Sequence, residues 1–102
     1  MPYGLSENIL RQLTAVFDKY IQINEVILYG SRAKGNYNEG SDIDLTIVGD
    51  QLDFSILQQV NTDIDQLNLP WLFDISDYKT INNKKLIDHI NRVGITIYKE
   101  EQ

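Results

Sequence analysis

Apolar residues along the 102-residue chain recur in two ways, either at a helical period or in short uninterrupted runs. A period of three to four positions over residues 5–20 predicts a first amphipathic helix, with Ser6 placed to cap its start. The same period over 54–67 predicts a second helix. A last helix is predicted between the Asn82–Asn83 pair, either member of which can cap it, and the stop signal Gly94.

Four short apolar runs predict β-strands, over residues 25–29, 42–48, 71–76 and 95–98. Residues 31–40 are rich in glycine, asparagine and charge, so this segment is expected to be mostly loop with one helical turn at most. The resulting order, α-β-β-α-β-α-β, favours an α/β (α+β) fold. In this fold a small mixed sheet of about four strands carries helices packed on one face.

Composition is that of an ordinary globular protein, with 42% hydrophobic and 24% charged residues. The length predicts a single domain over residues 1–102. No apolar run approaches the ~20 residues that a membrane-spanning helix needs, and no signal peptide is evident. Because the chain has no cysteine, disulfides and thiolate metal sites are excluded, and we expect a cytoplasmic protein.

Charge limits the partners that this chain is expected to bind. The formal net charge is −6 at pH 7, and the isoelectric point is about 4.5. Proteins that bind nucleic acid present basic patches, so direct binding of RNA or DNA is not expected. A nucleotide bound together with Mg²⁺ is compatible with this charge, because the metal ion offsets much of the phosphate charge.

The segment with the clearest chemistry is a glycine-serine turn, Gly30–Gly35 (sequence GSRAKG), followed by two aspartates. Asp42 and Asp44 are two residues apart in a predicted strand, so both side chains leave the same face of the sheet, about 7 Å apart at the Cα atoms. A divalent cation such as Mg²⁺ binds through one or two carboxylates together with substrate phosphates. The turn offers backbone N–H groups and a hydroxyl to those phosphates. Together these features predict a nucleotide site.

A third acid lies in the next predicted strand. Asp74 stands between Phe73 and Ile75 in the most aromatic stretch of the chain, where a carboxylate is costly unless it is paired or bound to metal. If Phe73 and Ile75 face the helices and the two strands lie close together, strand alternation places Asp74 on the same sheet face as the first two acids. Asp77 is the alternative, but alternation turns it toward the helices or beyond the strand end. Three converging carboxylates are the arrangement that a two-metal phosphoryl-transfer centre needs.

Gly30–Ser31, ten intervening residues and Asp42-Ile43-Asp44 resemble the signature of the DNA polymerase beta nucleotidyltransferase superfamily. Over nearly its whole length the chain resembles the minimal nucleotidyltransferases, called MNT proteins, often encoded beside a HEPN-domain partner. The resemblance implies that Gly30 and Ser31 hold the nucleotide phosphates. It also implies that Asp42 and Asp44 ligate two Mg²⁺ ions, with Asp74 as the third catalytic and metal-binding acid.

The resemblance further implies an activity and a partner. Members transfer a nucleoside monophosphate to a hydroxyl, so the chain is expected to move AMP from ATP to a partner macromolecule. An MNT protein paired with a HEPN toxin resembles an antitoxin. Arg32, at a position that varies in such motifs, is expected to contact phosphate oxygens through its guanidinium.

Two other functions stay open from the residues alone. The chain could be a binding module that neutralises a partner by direct contact, without turnover. Nucleotide addition to RNA ends also fits the motif, although the acidic charge disfavours it. Among the remaining residues, His89 is expected at the surface of the last helix, off the apolar stripe. Trp71 is expected in the core or at its rim, and Tyr29 and Tyr37 flank the phosphate turn.

Overall fold

The computed structural model describes residues 2–101, and the two ends of the predicted 1–102 domain, Met1 and Gln102, lie outside the described residues. Described residues form one sheet with strands β1 (Glu25–Tyr29), β2 (Ile43–Val48), β3 (Phe73–Asp77) and β4 (Ile95–Lys99). They also form the helices α1 (Glu7–Phe17), α2 (Gly30–Lys34), α3 (Phe54–Asp65) and α4 (Lys84–Val93). Short 3₁₀ turns occur at Pro2–Gly4 and Tyr78–Thr80.

The sheet has the strand order β3-β2-β1-β4. β1 pairs antiparallel with β2 on one side and with β4 on the other, whereas β2 and β3 run parallel. A parallel pair needs a crossover connection, and α3 supplies it between β2 and β3. The predicted small mixed sheet of four strands is therefore confirmed.

Side-chain caps explain where the three longer helices begin. Ser6, Asp53 and Asn83 each accept hydrogen bonds from backbone N–H groups in the first turns of α1, α3 and α4. Such a cap contributes typically about 1 kcal/mol. The predicted cap of α1 is confirmed, and the structure decides between the two asparagines in favour of the second. α3 ends slightly earlier than predicted, before a turn in which Asn68 has φ +55°.

The main hydrophobic core lies between one face of the sheet and the helices α1 and α3. Alternate residues of β1 and β2 point into this core, as strand periodicity predicted. Burying one large aliphatic or aromatic side chain contributes about 1.5–3 kcal/mol. Side chains without solvent exposure in this core include Leu13, Phe17, Val26, Leu28, Ile43, Leu45, Ile47 and Val60.

The last helix, α4, covers the opposite face of the sheet. Ile27 and Tyr29 alternate with the core residues of β1, so they point away from the main core. A Cβ added to Gly94, at the end of α4, would lie 2.7 Å from Ile27 Cγ2. The ring of Tyr29 meets that of His89 on α4 edge-on at 6.1 Å, and Ile90 is buried outside the main core. The predicted packing on one face therefore holds for α1 and α3 but not for α4, because β1 is apolar on both faces.

No helix within residues 2–101 has the combined length and hydrophobicity needed to cross a bilayer.

Candidate active site

The turn that joins β1 to α2 is built around Gly30. Its φ is +75°, and a Cβ at this position would lie 2.2 Å from Asp44 Oδ2. Both facts restrict the position to glycine, because other residues are strained at this φ and would collide with the carboxylate. Ser31, the second residue of α2, is half-buried beside it. Gly30, one of the two residues predicted to hold the phosphates, therefore lies directly against a predicted metal ligand.

Asp44 and Asp74 face each other across the parallel strands β2 and β3, as register partners. Neighbouring strands are about 4.8 Å apart, so the two carboxylates leave the same face side by side. Asp42 immediately precedes β2 and lies two residues from Asp44 on that face. Asp44 is half-buried, whereas Asp42 and Asp74 are exposed. The structure thus brings the three predicted acids to one end of the β2–β3 pair.

Burial and neighbouring charge act together on Asp44. Burial raises the pKa of the Asp44 carboxyl, and the negative charges of Asp74 and Asp42 raise it further. A raised pKa means that the ionised form is destabilised in the absence of a cation. A divalent metal ion would remove this penalty.

The donor set suits Mg²⁺, because carboxylate oxygens are the hard ligands that this ion takes. Across residues 2–101, however, no three acidic or histidine side chains are gathered closely enough to hold a metal ion as they stand. The three acids therefore share one face of the sheet, with Asp44 and Asp74 side by side, but their carboxylates do not surround a common point. Repulsion between like charges is the physical reason, and the exposed Asp42 and Asp74 side chains can rotate toward a cation.

Polar groups continue from the acids along the same face. Ser76 on β3 donates a hydrogen bond of 3.0 Å to the Thr46 hydroxyl on β2. Tyr29 on β1 is the register partner of Asp44. Burial raises the pKa of the Tyr29 hydroxyl, hydrogen bonding with Ser76 opposes this, and the charges of Asp74 and Asp44 add to the rise. Tyr29 was predicted to flank the phosphate turn. It directly precedes Gly30 and lies beside Asp44 on the neighbouring strand.

Arg32 occupies a different place from the one predicted. Its side chain is only 2% exposed, and its guanidinium donates hydrogen bonds to three backbone carbonyls. The acceptors are Tyr3 at 2.8 Å, Glu39 at 3.1 Å and Ser41 at 2.9 Å, with a second bond from Nε to Ser41 at 3.2 Å. The structure therefore directs Arg32 to the backbone and not to phosphate. Because Ser41 precedes Asp42, this arginine fixes where the first acid enters β2.

Two aromatic rings enclose the same guanidinium. The Arg32 Cζ atom lies 5.1 Å from the ring centre of Tyr37 and 5.2 Å from that of Trp71. Trp71 also donates a hydrogen bond from its indole to the carbonyl of Glu39 at 2.8 Å. Stacking of this kind suits a planar guanidinium and explains why the position is arginine. Trp71 is half-buried at the rim, as predicted.

Asp77, the alternative third acid, has a structural role. It is only 6% exposed at the end of β3, and its carboxylate pairs with Lys79 Nζ at 2.8 Å. The backbone N–H of Lys79 also donates to it, which caps the following 3₁₀ turn. The preference for Asp74 over Asp77 agrees with this arrangement.

His89 was predicted at the surface, and that prediction is wrong. The side chain is half-buried, and its Nε2 accepts a hydrogen bond of 3.0 Å from the backbone N–H of Gly30. A signal for this placement exists in the sequence. His89 is three residues after Leu86 and four before Val93, so it lies on the apolar stripe of α4 and not beside it.

A family model described as "Polymerase beta, Nucleotidyltransferase" matches residues 11–102. The chain belongs to this nucleotidyltransferase family. The resemblance drawn from the glycine-serine turn and the Asp-x-Asp motif is confirmed by this match.

A relative from Haemophilus influenzae bears the name "Probable protein adenylyltransferase MntA". This nucleotidyltransferase chain is 31% identical to it over 75 residues, which cover 72% of this chain and 65% of the relative. The matched region thus spans less than two thirds of the relative's length.

Solved structures show the same fold. A toxin–antitoxin crystal structure with AMP-PNP matches with a TM-score of 0.69 and 18% identity, covering 91% of this chain and 75% of that one. A tri-AMPylated Shewanella oneidensis HEPN toxin in complex with MNT antitoxin matches with a TM-score of 0.61 and 18% identity, covering 96% and 73%. The predicted nucleotidyltransferase fold is confirmed.

Proposed function

We propose that this protein is a Mg²⁺-dependent nucleotidyltransferase that transfers AMP from ATP to a hydroxyl group of a partner macromolecule. The observation that supports this most strongly is the placement of Asp44 between Asp74 and the Gly30 turn. Asp44, the register partner of Asp74, thus lies against the Gly30 turn, which is the segment that would receive the phosphates. Membership of the nucleotidyltransferase family supports the reaction class.

Each residue of the site has a role in this proposal. Asp42, Asp44 and Asp74 would hold two Mg²⁺ ions. Gly30 would let the backbone approach the triphosphate closely, and Ser31 would bind it through its hydroxyl. When bound, the metal ions would neutralise phosphate charge and lower the pKa of the attacking hydroxyl. Arg32 would act on the position of Asp42 through the Ser41 carbonyl.

The transfer exchanges a phosphoanhydride bond of ATP for a phosphodiester bond to the acceptor. The acceptor oxygen would form a bond to the α-phosphorus while the bond from that phosphorus to the β-phosphate oxygen breaks, and pyrophosphate would leave. The hydroxyl proton would pass to a nearby base, for which the exposed Asp74 carboxylate is suited by its position at the outer strand of the sheet. Burial and neighbouring negative charge raise the pKa of Asp44, because they destabilise its ionised form. A cation bound beside Asp44 would stabilise that form.

We further propose that the acceptor is a helical protein of the HEPN class and that this chain acts as its antitoxin. The relative named as an adenylyltransferase and the toxin–antitoxin structures of the same fold support this choice. The site is also open toward a large acceptor, because Asp42, Asp74 and the 76% exposed Leu72 lie at its rim. The same proposal places the protein in the cytoplasm, where ATP and Mg²⁺ are supplied.

A second candidate is a module that blocks its partner by contact alone. One observation favours it: the side chain of Leu72, at the rim of the site, is 76% exposed and open to contact with a partner. In that case the carboxylates would be dispensable for protection of the partner.

Label transfer distinguishes the two functions. ATP labelled at the α-phosphate is added with Mg²⁺ to native cell extract containing wild type, Asp44→Asn or the control Asp50→Asn, which changes an exposed aspartate in the turn after β2. We expect a labelled macromolecule with wild type and Asp50→Asn only, sensitive to protease and resistant to ribonuclease. ATP labelled at the γ-phosphate should give the same labelling in extract with and without the added protein.

γ-Label that appears only when the wild-type protein is added would indicate a kinase and contradict the proposal. Absence of α-label, with the partner still captured by wild type and by Asp44→Asn, would favour the binding module. Label that ribonuclease removes would point to an RNA acceptor.

A further inference from the structure

A histidine from α4 holds the phosphate turn of this nucleotidyltransferase fold. His89 Nε2 lies 3.0 Å from the backbone nitrogen of Gly30, which donates its hydrogen. The imidazole is itself held, because its ring meets that of Tyr29 edge-on, with ring centres 6.1 Å apart and planes at 80°. His89 is thus tied at once to the last residue of β1 and the first residue of α2.

We propose that His89 is a positioning residue of the nucleotide site, which fixes the Gly30 turn in the conformation that receives the triphosphate. The inference rests on the proposed function, since it assigns a role within that same site. His89 itself does not contact the reacting atoms in this proposal; it acts through the backbone of Gly30.

A glycine turn needs such a constraint. Glycine loses more conformational freedom on ordering than any other residue, so a turn built on it is not held by its own backbone preferences. Gly30 is confined from one side by Asp44, whose Oδ2 occupies the space a Cβ would fill. His89 constrains it further through the hydrogen bond to its backbone N–H. The turn is therefore set jointly by β2 and α4, two elements far apart in sequence.

The contact also defines the chemical state of the imidazole. A nitrogen that accepts a hydrogen bond carries no proton, so the neutral His89 side chain bears its hydrogen on Nδ1. This tautomer can be observed directly by the ¹⁵N chemical shifts of the ring. The same bond should slow the exchange of the Gly30 amide with solvent.

Two substitutions of His89 distinguish the effect of the hydrogen-bond acceptor from the effect of side-chain size. His89→Gln places an amide oxygen at a reach similar to that of Nε2, whereas His89→Leu keeps an apolar side chain without an acceptor. Asp88→Asn, on the exposed side of the same helix, is the matched control. Binding of the Mg²⁺–ATP complex is measured by calorimetry, because this readout does not require the acceptor macromolecule.

We expect His89→Leu to weaken Mg²⁺–ATP binding about tenfold, in keeping with the loss of one partly buried hydrogen bond. His89→Gln should restore most of the affinity, and Asp88→Asn should match wild type. Where label transfer is detected, the defect of His89→Leu should appear in KM more than in kcat, because a better-ordered turn binds ground state and transition state alike.

The outcomes separate the two proposals. Wild-type binding that His89→Leu retains in full, or a His89→Gln variant as weak as His89→Leu, overturns the role of His89 alone. Absence of Mg²⁺–ATP binding by wild type overturns the proposed function and the role of His89 with it. Should His89→Leu fail to fold, the wild-type protein still decides: a protonated Nε2 or an unprotected Gly30 amide contradicts the positioning contact.

Discussion

Asp44 on β2 and Asp74 on β3 stand directly opposite each other in parallel register. Strand pairing thus forces two carboxylates into neighbouring positions on one face, although they lie 30 positions apart in the sequence. Asp42 adds a third negative charge to the same end. These negative charges repel one another in the native state. Removing one of them should therefore change the free energy of unfolding, which can be measured without an assay of the reaction.

Asp44→Asn is expected to stabilise the metal-free protein at pH 7 by a few degrees in melting temperature. Burial and the neighbouring acids raise the pKa of Asp44 above its value in the unfolded chain, so the native state is penalised when the group is ionised. The penalty is absent below the unfolded pKa of about 3.9 and grows as pH rises through the folded pKa. The gain from Asp44→Asn should therefore be largest near neutral pH and fade as pH falls toward 4.

Urea unfolding at low ionic strength between pH 4 and pH 8 measures this difference. Asp50→Asn, at an exposed turn position, should stay close to wild type throughout. A destabilising Asp44→Asn at pH 7 would mean that the carboxylate is favourably paired in the native state.

Mg²⁺ is expected to raise the melting temperature of wild type. A ligand that binds only the native state stabilises it by about 2.7 kcal/mol when its concentration is 100 times Kd. Asp44→Asn should lose this response, and Asp50→Asn should keep it. The measurement is a thermal melt in millimolar MgCl₂ against NaCl of equal ionic strength. Equal melting temperatures in the two salts would argue against a metal site at the acids.

Gly30→Ala is expected to destabilise the fold by more than about 1 kcal/mol and to abolish label transfer. The new Cβ would lie 2.2 Å from Asp44 Oδ2, at a φ of +75°. Two other glycines separate these effects. Gly35→Ala meets open space at a φ of +88°, so it tests backbone strain alone, and Gly40→Ala meets open space without a positive φ.

The expected order of stability among these variants is Gly40→Ala, then Gly35→Ala, then Gly30→Ala, as measured by urea unfolding. Only the last should affect nucleotide binding beyond its effect on stability. A Gly30→Ala variant with wild-type stability would show that the turn can move away from Asp44.

Arg32→Lys is expected to destabilise the protein by about 3 kcal/mol, because a buried guanidinium that bridges three carbonyls has no equivalent in an ammonium group. Trp71, the single tryptophan, lies against the guanidinium and reports the change by fluorescence. Lys34→Ala on the exposed side of α2 should change stability by less than about 0.5 kcal/mol.

This substitution also decides between the two roles considered for Arg32. A structural role predicts a large loss of stability with a smaller effect on Mg²⁺–ATP affinity per folded molecule. If the variant keeps wild-type stability but loses affinity, the result would support the predicted contact between Arg32 and phosphate.

Local patterns were sufficient for much of this molecule. Helical period, strand alternation, the cap at Ser6 and a cap within the Asn82–Asn83 pair were predictable, because each depends on residues within a few positions of one another along the backbone. The spacing from Gly30–Ser31 to Asp42 and Asp44 was enough to identify the family, since that spacing is itself a local property of a turn and the strand that follows it.

The tertiary structure decided which distant groups meet. Strand order set Asp74 against Asp44, and the placement of α4 on the second face of the sheet brought His89 to Gly30. The buried partners of Arg32 are backbone carbonyls, which every residue carries and no sequence pattern marks. Contacts of this kind depend on the packing of whole elements against one another, and their free energy is not contained in any short segment. The sequence alone therefore determined the elements and the motif, whereas only the fold decided what holds the motif in place.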